Sequence, residues 1–347
     1  MFIPVALLAG CPGSGSVTDN GPGGGDTPSE AAIDLAGDSA PPVSVDQACS
    51  DSATARCTRR QACSNDAWAT RNYGDLGTCV ARMRLACLGS LGAPDTAATA
   101  VRTEACATEL PALTCDDLFN GKPQGDCTTP VGPLAVGVPC QYNGQCQTSF
   151  CHVPHGVACG TCAGIPTAGD ACSETAECGP YNMECVKATG ETAGTCQPPL
   201  ASGGACDKDH ACGFGLSCVG ATAKVAGACQ AAGATVGADC DPKRKTGPGC
   251  EGTSGLGCDD ATSKCVVATF VQDQQACDNK TALCGGGGRC VIASGATAGT
   301  CFLPAADGKA CGLDDGAPCL APARCIVAAG QARGTCELPD AAACKGP

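Results

Sequence analysis

Large apolar side chains are scarce in this chain. From Cys172 to Cys336 there are only thirteen Leu, Ile, Met, Phe or Trp residues, and aromatics make up 3% of the whole. Ordering a repeat of about 34 residues costs roughly 50 kcal/mol at ~1.5 kcal/mol per residue, which two or three large side chains cannot offset. A conventional core-packed domain is therefore excluded. Basic charge is also short, with 21 Lys and Arg against 34 Asp and Glu and a formal net charge of −13. That balance argues against a nucleic-acid partner and against an anionic membrane surface held by charge alone. With only three histidines, no Ser-His-Asp arrangement is expected, and no recurring carboxylate pair suggests hydrolysis. C-x-C is absent and C-x-x-C occurs once, so the thiolate cage of a metallothionein-like protein is not expected.

What the chain has instead is cysteine: 35 in 347 residues, the density of a disulfide scaffold. Such cysteines stay oxidised only outside a reducing cytosol, which implies an envelope or extracellular setting. They form a ladder whose starts are Cys140, Cys172, Cys206, Cys240, Cys277, Cys311 and Cys344, spaced 32 to 37 residues apart. A fixed period of that length means one small structural module per repeat. The first unit has five cysteines, adding Cys146, Cys151, Cys159 and Cys162. Units two to six have four: Cys172, Cys178, Cys185, Cys196; Cys206, Cys212, Cys218, Cys229; Cys240, Cys250, Cys258, Cys265; Cys277, Cys284, Cys290, Cys301; and Cys311, Cys319, Cys325, Cys336.

The segment from third to fourth cysteine reads almost alike in several units, as in CVKATGETAGTC and CVIASGATAGTC. A β-branched residue after the third cysteine, a Gly-containing middle and a G-T-C or G-A-C close predict a β-hairpin. Two connectivities fit. In one, each closing cysteine pairs forward with the next start: Cys162–Cys172, Cys196–Cys206, Cys229–Cys240, Cys265–Cys277, Cys301–Cys311 and Cys336–Cys344. The inner two of each four-cysteine unit then pair locally. In the other, pairs interleave first to third and second to fourth. The forward scheme accounts for both Cys162 and Cys344, the interleaved one leaves Cys336 and Cys344 as a truncated end, and under either Cys344 caps the ladder.

Residues 46–130 read as a helical cysteine-rich domain containing Cys49, Cys57, Cys63, Cys79, Cys87, Cys106, Cys115 and Cys127. Helices are expected over Val45 to Cys63, Asp75 to Leu88 and Ala97 to Leu110, with a turn of helix over Leu113 to Phe119. Cys49 and Cys57 are eight apart, as are Cys79 and Cys87. Each pair projects from one side of its helix, so two antiparallel helices could be stapled twice. Trp68 and Tyr73 fall in the loop after the first helix and are expected to pack. The fold class is thus small disulfide-rich repeats of short β-hairpins and loops over 135–347, preceded by a small disulfide-stapled α-helical domain.

At the N-terminus, Leu8-Ala9-Gly10-Cys11 resembles the lipobox of bacterial lipoproteins. The resemblance implies a signal remnant over 1–10, lipidation at Cys11, a flexible tether over 11–45 and placement in the outer membrane, since Pro12 rather than Asp follows the cysteine. Setting Cys11 aside leaves thirty-four cysteines, an even number. The stretch PCQYNGQCQTSFCHVPHGVACGTC at the first unit resembles the Dickkopf N-terminal cysteine-rich domain. That resemblance implies a β-poor disulfide knot; only the scaffold is carried over, not the family's role in secreted receptor antagonists. Modules of this sort also resemble those of large cysteine-rich lipoproteins of Gram-negative bacteria.

Other chemistry is thinly represented. Cys159-Gly-Thr-Cys162 is redox-shaped but lacks a thioredoxin-like setting. His152 and His155 could join Cys151 and Cys159 around zinc if those thiols were reduced, while His210 stands alone. Asp207 with Asp209, Asp259 with Asp260, and Asp314 with Asp315 lack the spacing of a calcium loop. Gly285 to Gly288 is no phosphate loop, and Lys243-Arg244-Lys245 reads as a solvated insert. The expectation is a non-enzymatic cell-envelope lipoprotein without cofactor. Its partners would be the membrane, through the lipid, and an extracellular protein or polysaccharide bound by the modules. The alternatives are a structural spacer without a specific ligand and, ranked below it, a redox or metal-binding protein using the region of Cys159 and Cys162.

Overall fold

The computed structural model describes residues 42–344 except 123, 180–182, 189–190, 208–209, 223–224 and 314–315. Cys11 and the lipobox lie outside the described residues, as does most of the tether. Five α-helices lead the described chain: α1 Val45–Ala62, α2 Ala67–Tyr73, α3 Leu76–Leu91, α4 Ala100–Glu109 and α5 Cys115–Phe119. Most begin on a side-chain cap. The Ser44 hydroxyl accepts from Gln47 N, Asp75 from Thr78 N at 2.7 Å, Thr99 from Arg102 N and Thr114 from Asp117 N. Each cap satisfies one amide that the first helical turn leaves unpaired.

The i, i+8 cysteines meet across α1 and α3 as the doubly stapled hairpin. Cys49–Cys87 and Cys57–Cys79 join the two helices, and Cys63–Cys115 and Cys106–Cys127 fix α5 and α4. The segment read as a loop around Trp68 and Tyr73 is helix α2. Its Tyr73 is buried against Ala69, Cys57 and Cys79, and Trp68 packs on the same cluster. Tertiary burial overrides the local turn signals of Asn65 and Asp66, whose positive φ values supply the bend before the helix.

Every ladder unit except the fourth is a three-stranded antiparallel sheet. Unit two is representative: the short strand Ala171–Cys172 and the strand Glu184–Lys187 both pair with Gly194–Gln197, which lies between them. The predicted hairpin is present, and the opening cysteine adds a third strand. Unit four, with its widened first gap, keeps the hairpin Leu256–Asp259 with Lys264–Val267, and its opening strand shrinks to the bridge Asp239–Lys264.

The bridges interleave, so the forward pairing is corrected. First joins third and second joins fourth: Cys140–Cys151 and Cys146–Cys162; Cys172–Cys185 and Cys178–Cys196; Cys206–Cys218 and Cys212–Cys229; Cys240–Cys258 and Cys250–Cys265; Cys277–Cys290 and Cys284–Cys301; Cys311–Cys325 and Cys319–Cys336. The reason lies in the sheet. The closing strand is held between two strands of its own unit, so its cysteine is buried there, as with Cys196 at 0% exposure, and cannot reach the next start. The two bridges of each unit lie side by side and form most of its core, as Cys172, Cys178, Cys185 and Cys196 do with Met183.

The surplus cysteine of unit one is Cys159, not Cys162. It bonds Cys344 across a sequence separation of 185 residues. Cys344 does cap the ladder, but it does so by closing the ladder on its first unit. Val327 N donates to Gly156 O at 2.9 Å along the same seam. The units surround the helical head. Ala97 N donates to Gly144 O of unit one, and Phe119 stacks on Phe214 of unit three at 4.7 Å. Arg71 donates to Gly252 O of unit four, and Arg82 holds Ala321 O, Leu320 O and Asp307 of unit six.

Candidate functional site

The residues singled out from sequence are built into the scaffold. Cys159 and Cys162 belong to separate bridges, to Cys344 and Cys146, so the C-x-x-C is not a dithiol pair. Cys151 and Cys159, the candidate zinc thiolates, are both bonded elsewhere. Sulfur triplets such as Cys140, Cys146 and Cys151 lie within 4.8 Å of one another, but as disulfides they present no thiolate to a metal. The His152 Nε2 sits 3.6 Å from Glu174 Oε1 of unit two, and His155 is exposed. The His210 ring lies 3.0 Å from Pro198 O.

The acidic pairs act on their own turns. Asp259 accepts from Ala261 N and the Thr262 hydroxyl, and Asp260 pairs with Lys280 at 3.0 Å. Asp207 accepts from His210 N, whereas Asp209, Asp314 and Asp315 lie outside the described residues. The glycine run serves as a helix cap: Gly286 N and Gly287 N donate to Thr70 O and Arg71 O, carbonyls at the C-terminal end of α2. A Cβ on Gly287 would meet Asn72 O at 2.6 Å, which accounts for glycine there.

The insert carrying Lys243, Arg244 and Lys245 is organised by Asp241. Its carboxylate accepts from Lys243 N, Lys245 N and Thr246 N. The amides of Thr246 and then Lys243 hold this carboxyl far below the usual carboxylate range. The three basic side chains point to solvent on that fixed turn.

A site missed from sequence opens where the head meets unit one. It is a cleft of about 330 Å³ lined by Ser52 and Arg56 of α1, Ser90 of α3, Thr99, Arg102 and Thr103 at the start of α4, the segment Asp126 to Pro130, and Tyr142 to Gly144 of unit one. Ser52 and Arg56 share a face because they are four residues apart on one helix. Arg102 is held by Asp126 O, Thr128 O and the Thr128 hydroxyl, the last at 2.6 Å. Tyr142 reaches across to Gly89, where a Cβ would lie 2.1 Å from the phenol oxygen. Burial raises the Tyr142 phenol, with Arg324 nearby opposing it.

Two arginines of α1 stand one turn apart here, Arg56 in the lining of the cleft and Arg60 outside it. Burial lowers the Arg56 guanidinium, and burial followed by repulsion from Arg56 brings Arg60 down to about 10. Arg60 lies over Trp68, 4.8 Å from the ring centroid, and its buried Nε has no hydrogen-bond acceptor. Among the described residues no carboxylate comes within ion-pair distance of either arginine. The sequence did carry a signal for this. Arg56 stands between the buried Ala53 and Cys57, at the edge of the face that staples α1 to α3, where a charge is conspicuous.

No protein-family model, curated protein or solved structure matches this chain. Among the described residues, no helix is long and apolar enough to cross a membrane.

Proposed function

We propose that this chain is a non-enzymatic, extracytoplasmic binding protein of the cell envelope, anchored in the outer membrane by lipid on Cys11, whose disulfide modules serve binding or adhesion. The density of disulfides supports an oxidising compartment. The lipobox resemblance supports the anchor, and the Dickkopf-like text of unit one is carried over for the scaffold alone. Cys159 and Cys162, the one redox-shaped pair, contribute to structural bridges instead of facing each other.

The observation that carries the binding reading over the spacer reading is the Cys159–Cys344 bridge. In a stalk each added unit adds reach. Here the end of the sixth unit returns to the first, and the units cover the head instead of projecting it. The result is a rigid platform with loops of different composition around its rim, including the basic insert of unit four. Rigid presentation limits the ordering penalty on binding.

Attachment tests this reading. Purified chain should compete with intact cells for their natural surface, and replacing residues 242–248 with a Gly/Ser segment should weaken that competition. Competition indifferent to this and every other loop exchange would overturn binding in favour of a spacer. The anchor is tested separately by radioactive fatty-acid labelling, which Cys11→Ser should abolish; an unlabelled native chain would sink the lipoprotein reading.

A further inference from the structure

We infer that the cleft between the helical head and unit one binds a small acidic saccharide through the carboxylate of a single sugar, with Arg56 as the principal anion contact. This inference rests on the binding reading above and gives it a site and a ligand class.

The charge comes first. A guanidinium withdrawn from water without a partner is destabilising, and folded chains ordinarily supply a carboxylate opposite it. This chain has 34 acidic residues against 21 basic ones, yet none of the described acids is placed against Arg56 or Arg60. Arg56 thus lines the cleft without an ion-pair partner among the described residues, and Arg60 stands one helical turn further along α1, over Trp68 and outside the lining. Arg102 is the second guanidinium in the lining, beside the one acidic residue there, Asp126. The Nε and Nη2 of Arg102 are tied to Asp126 O, Thr128 O and the Thr128 hydroxyl, which orients the remaining Nη1 without consuming it. That Nη1 can donate to one carboxylate oxygen, while Arg56, which makes no ion pair among the described residues, offers the two-nitrogen fork that grips a planar carboxylate with parallel hydrogen bonds.

The rest of the lining selects among anions. Ser52, Ser90 and Thr103 line the cleft, and their hydroxyls make no hydrogen bond among the described residues. Donor-acceptor hydroxyls in that number match a polyhydroxy ligand better than a bare inorganic ion, which needs only donors. Tyr142 supplies one aromatic ring, and the wall offers no large apolar surface for a hydrophobic acid. A volume of about 330 Å³ is at the small end for ligand pockets and suits one hexose-sized ring.

The test uses the oxidised full chain and three probes, galacturonate, galactose and inorganic phosphate, titrated by calorimetry and by amide NMR shifts. Galacturonate is expected to bind saturably, with galactose and phosphate each roughly tenfold weaker or worse. Arg56→Gln and Arg102→Gln should each weaken galacturonate by roughly tenfold, and Arg56→Lys should recover only part of the loss. Arg84→Gln, on α3 where it pairs with Asp46 of α1 away from the cleft lining, should leave it unchanged. A non-reduced disulfide map of each variant confirms the fold. Phosphate binding as tightly as galacturonate would overturn the saccharide assignment, and no saturable binding by any probe, or equal binding by Arg56→Gln, would overturn the site. If the native chain still competes for cells while galacturonate does not bind, the site fails and the binding reading stands. If galacturonate binds while the chain does not compete for cells, the site stands and the adhesion reading fails.

Discussion

Single residues carry more of this fold than the scarcity of large side chains suggests, because each repeat depends on a few backbone positions. The glycine two before the closing cysteine, present in every unit but the fourth, where Ser263 stands, is one. A Cβ on Gly194 would lie 2.3 Å from Val186 O across the hairpin, and Gly160, Gly227, Gly299 and Gly334 would meet the equivalent carbonyl at 2.1 to 2.3 Å. The G-T-C close is legible as a pattern, but its cause is this approach, which only the hairpin register reveals. Gly194→Ala should destabilise unit two by about 1–3 kcal/mol, the range for forced overpacking, read as faster hydrogen exchange at the Cys185 and Cys196 amides. Exchange unchanged in unit two would contradict it. Asp241 gives a pH prediction. Its carboxyl is depressed in the folded chain, so the order it confers is present above the ordinary carboxylate pKa and is lost only as pH falls through the lower folded value. Amide shifts of Lys243, Lys245 and Thr246 should therefore hold at pH 3, and Asp241→Ala should collapse them at pH 7. Movement of those shifts between pH 5 and pH 3 would show that the carboxylate is not held in this way.

At the scale of elements, the parts governed by local rules can be read in advance. The i, i+8 cysteines place α1 against α3, Asp75 marks the start of α3, and the hairpins follow from their β-branched and glycine positions. Helix α2 escapes such rules because seven residues carry little helical signal of their own. Its stability comes from burial of Tyr73 and from carbonyls capped by Gly286 and Gly287, more than two hundred residues away. The opening strand and the frame of each unit are hidden for a related reason. A link residue before the opening cysteine pairs in parallel with the second cysteine of its unit, as Leu134 does with Cys146, Leu200 with Cys212 and Ala305 with Cys319. A parallel bridge between single residues leaves no compositional trace. The contact of α3 with unit six is similarly non-local. Arg82 donates to Ala321 O and Leu320 O and pairs with Asp307 at 2.7 Å. Arg82→Ala should cost about 1.5–3 kcal/mol as charge-assisted hydrogen bonds are lost. The loss should appear as local opening of residues 305–325 by hydrogen exchange while unit two is unaffected; uniform loosening, or none, would count against the clamp.

Among the described residues the ladder is bent into a closed circuit about the helical head, and that closure is not legible in the sequence at all. Parity and spacing leave Cys344 beside Cys336 and favour the nearer partner, because nothing in a sequence shows that the sixth unit returns to the first. Closure matters for stability as well as shape. In the chain-entropy account a bridge spanning 185 residues contributes roughly 5 kcal/mol at most, and less here because the intervening bridges already shorten the loop. It also ties the end of the ladder to unit one beside the Tyr142 wall of the arginine cleft, where Cys344 Sγ lies 3.4 Å from Gln141 Oε1. The connectivity is therefore the claim on which platform, cleft and binding reading all depend. A non-reduced peptide map with alkylation measures it directly: the account predicts one peptide pair linking Cys159 to Cys344, interleaved pairs in all six units and no free thiol from Cys49 to Cys344. Recovery of Cys336 bonded to Cys344, with Cys162 bonded to Cys172, would contradict it.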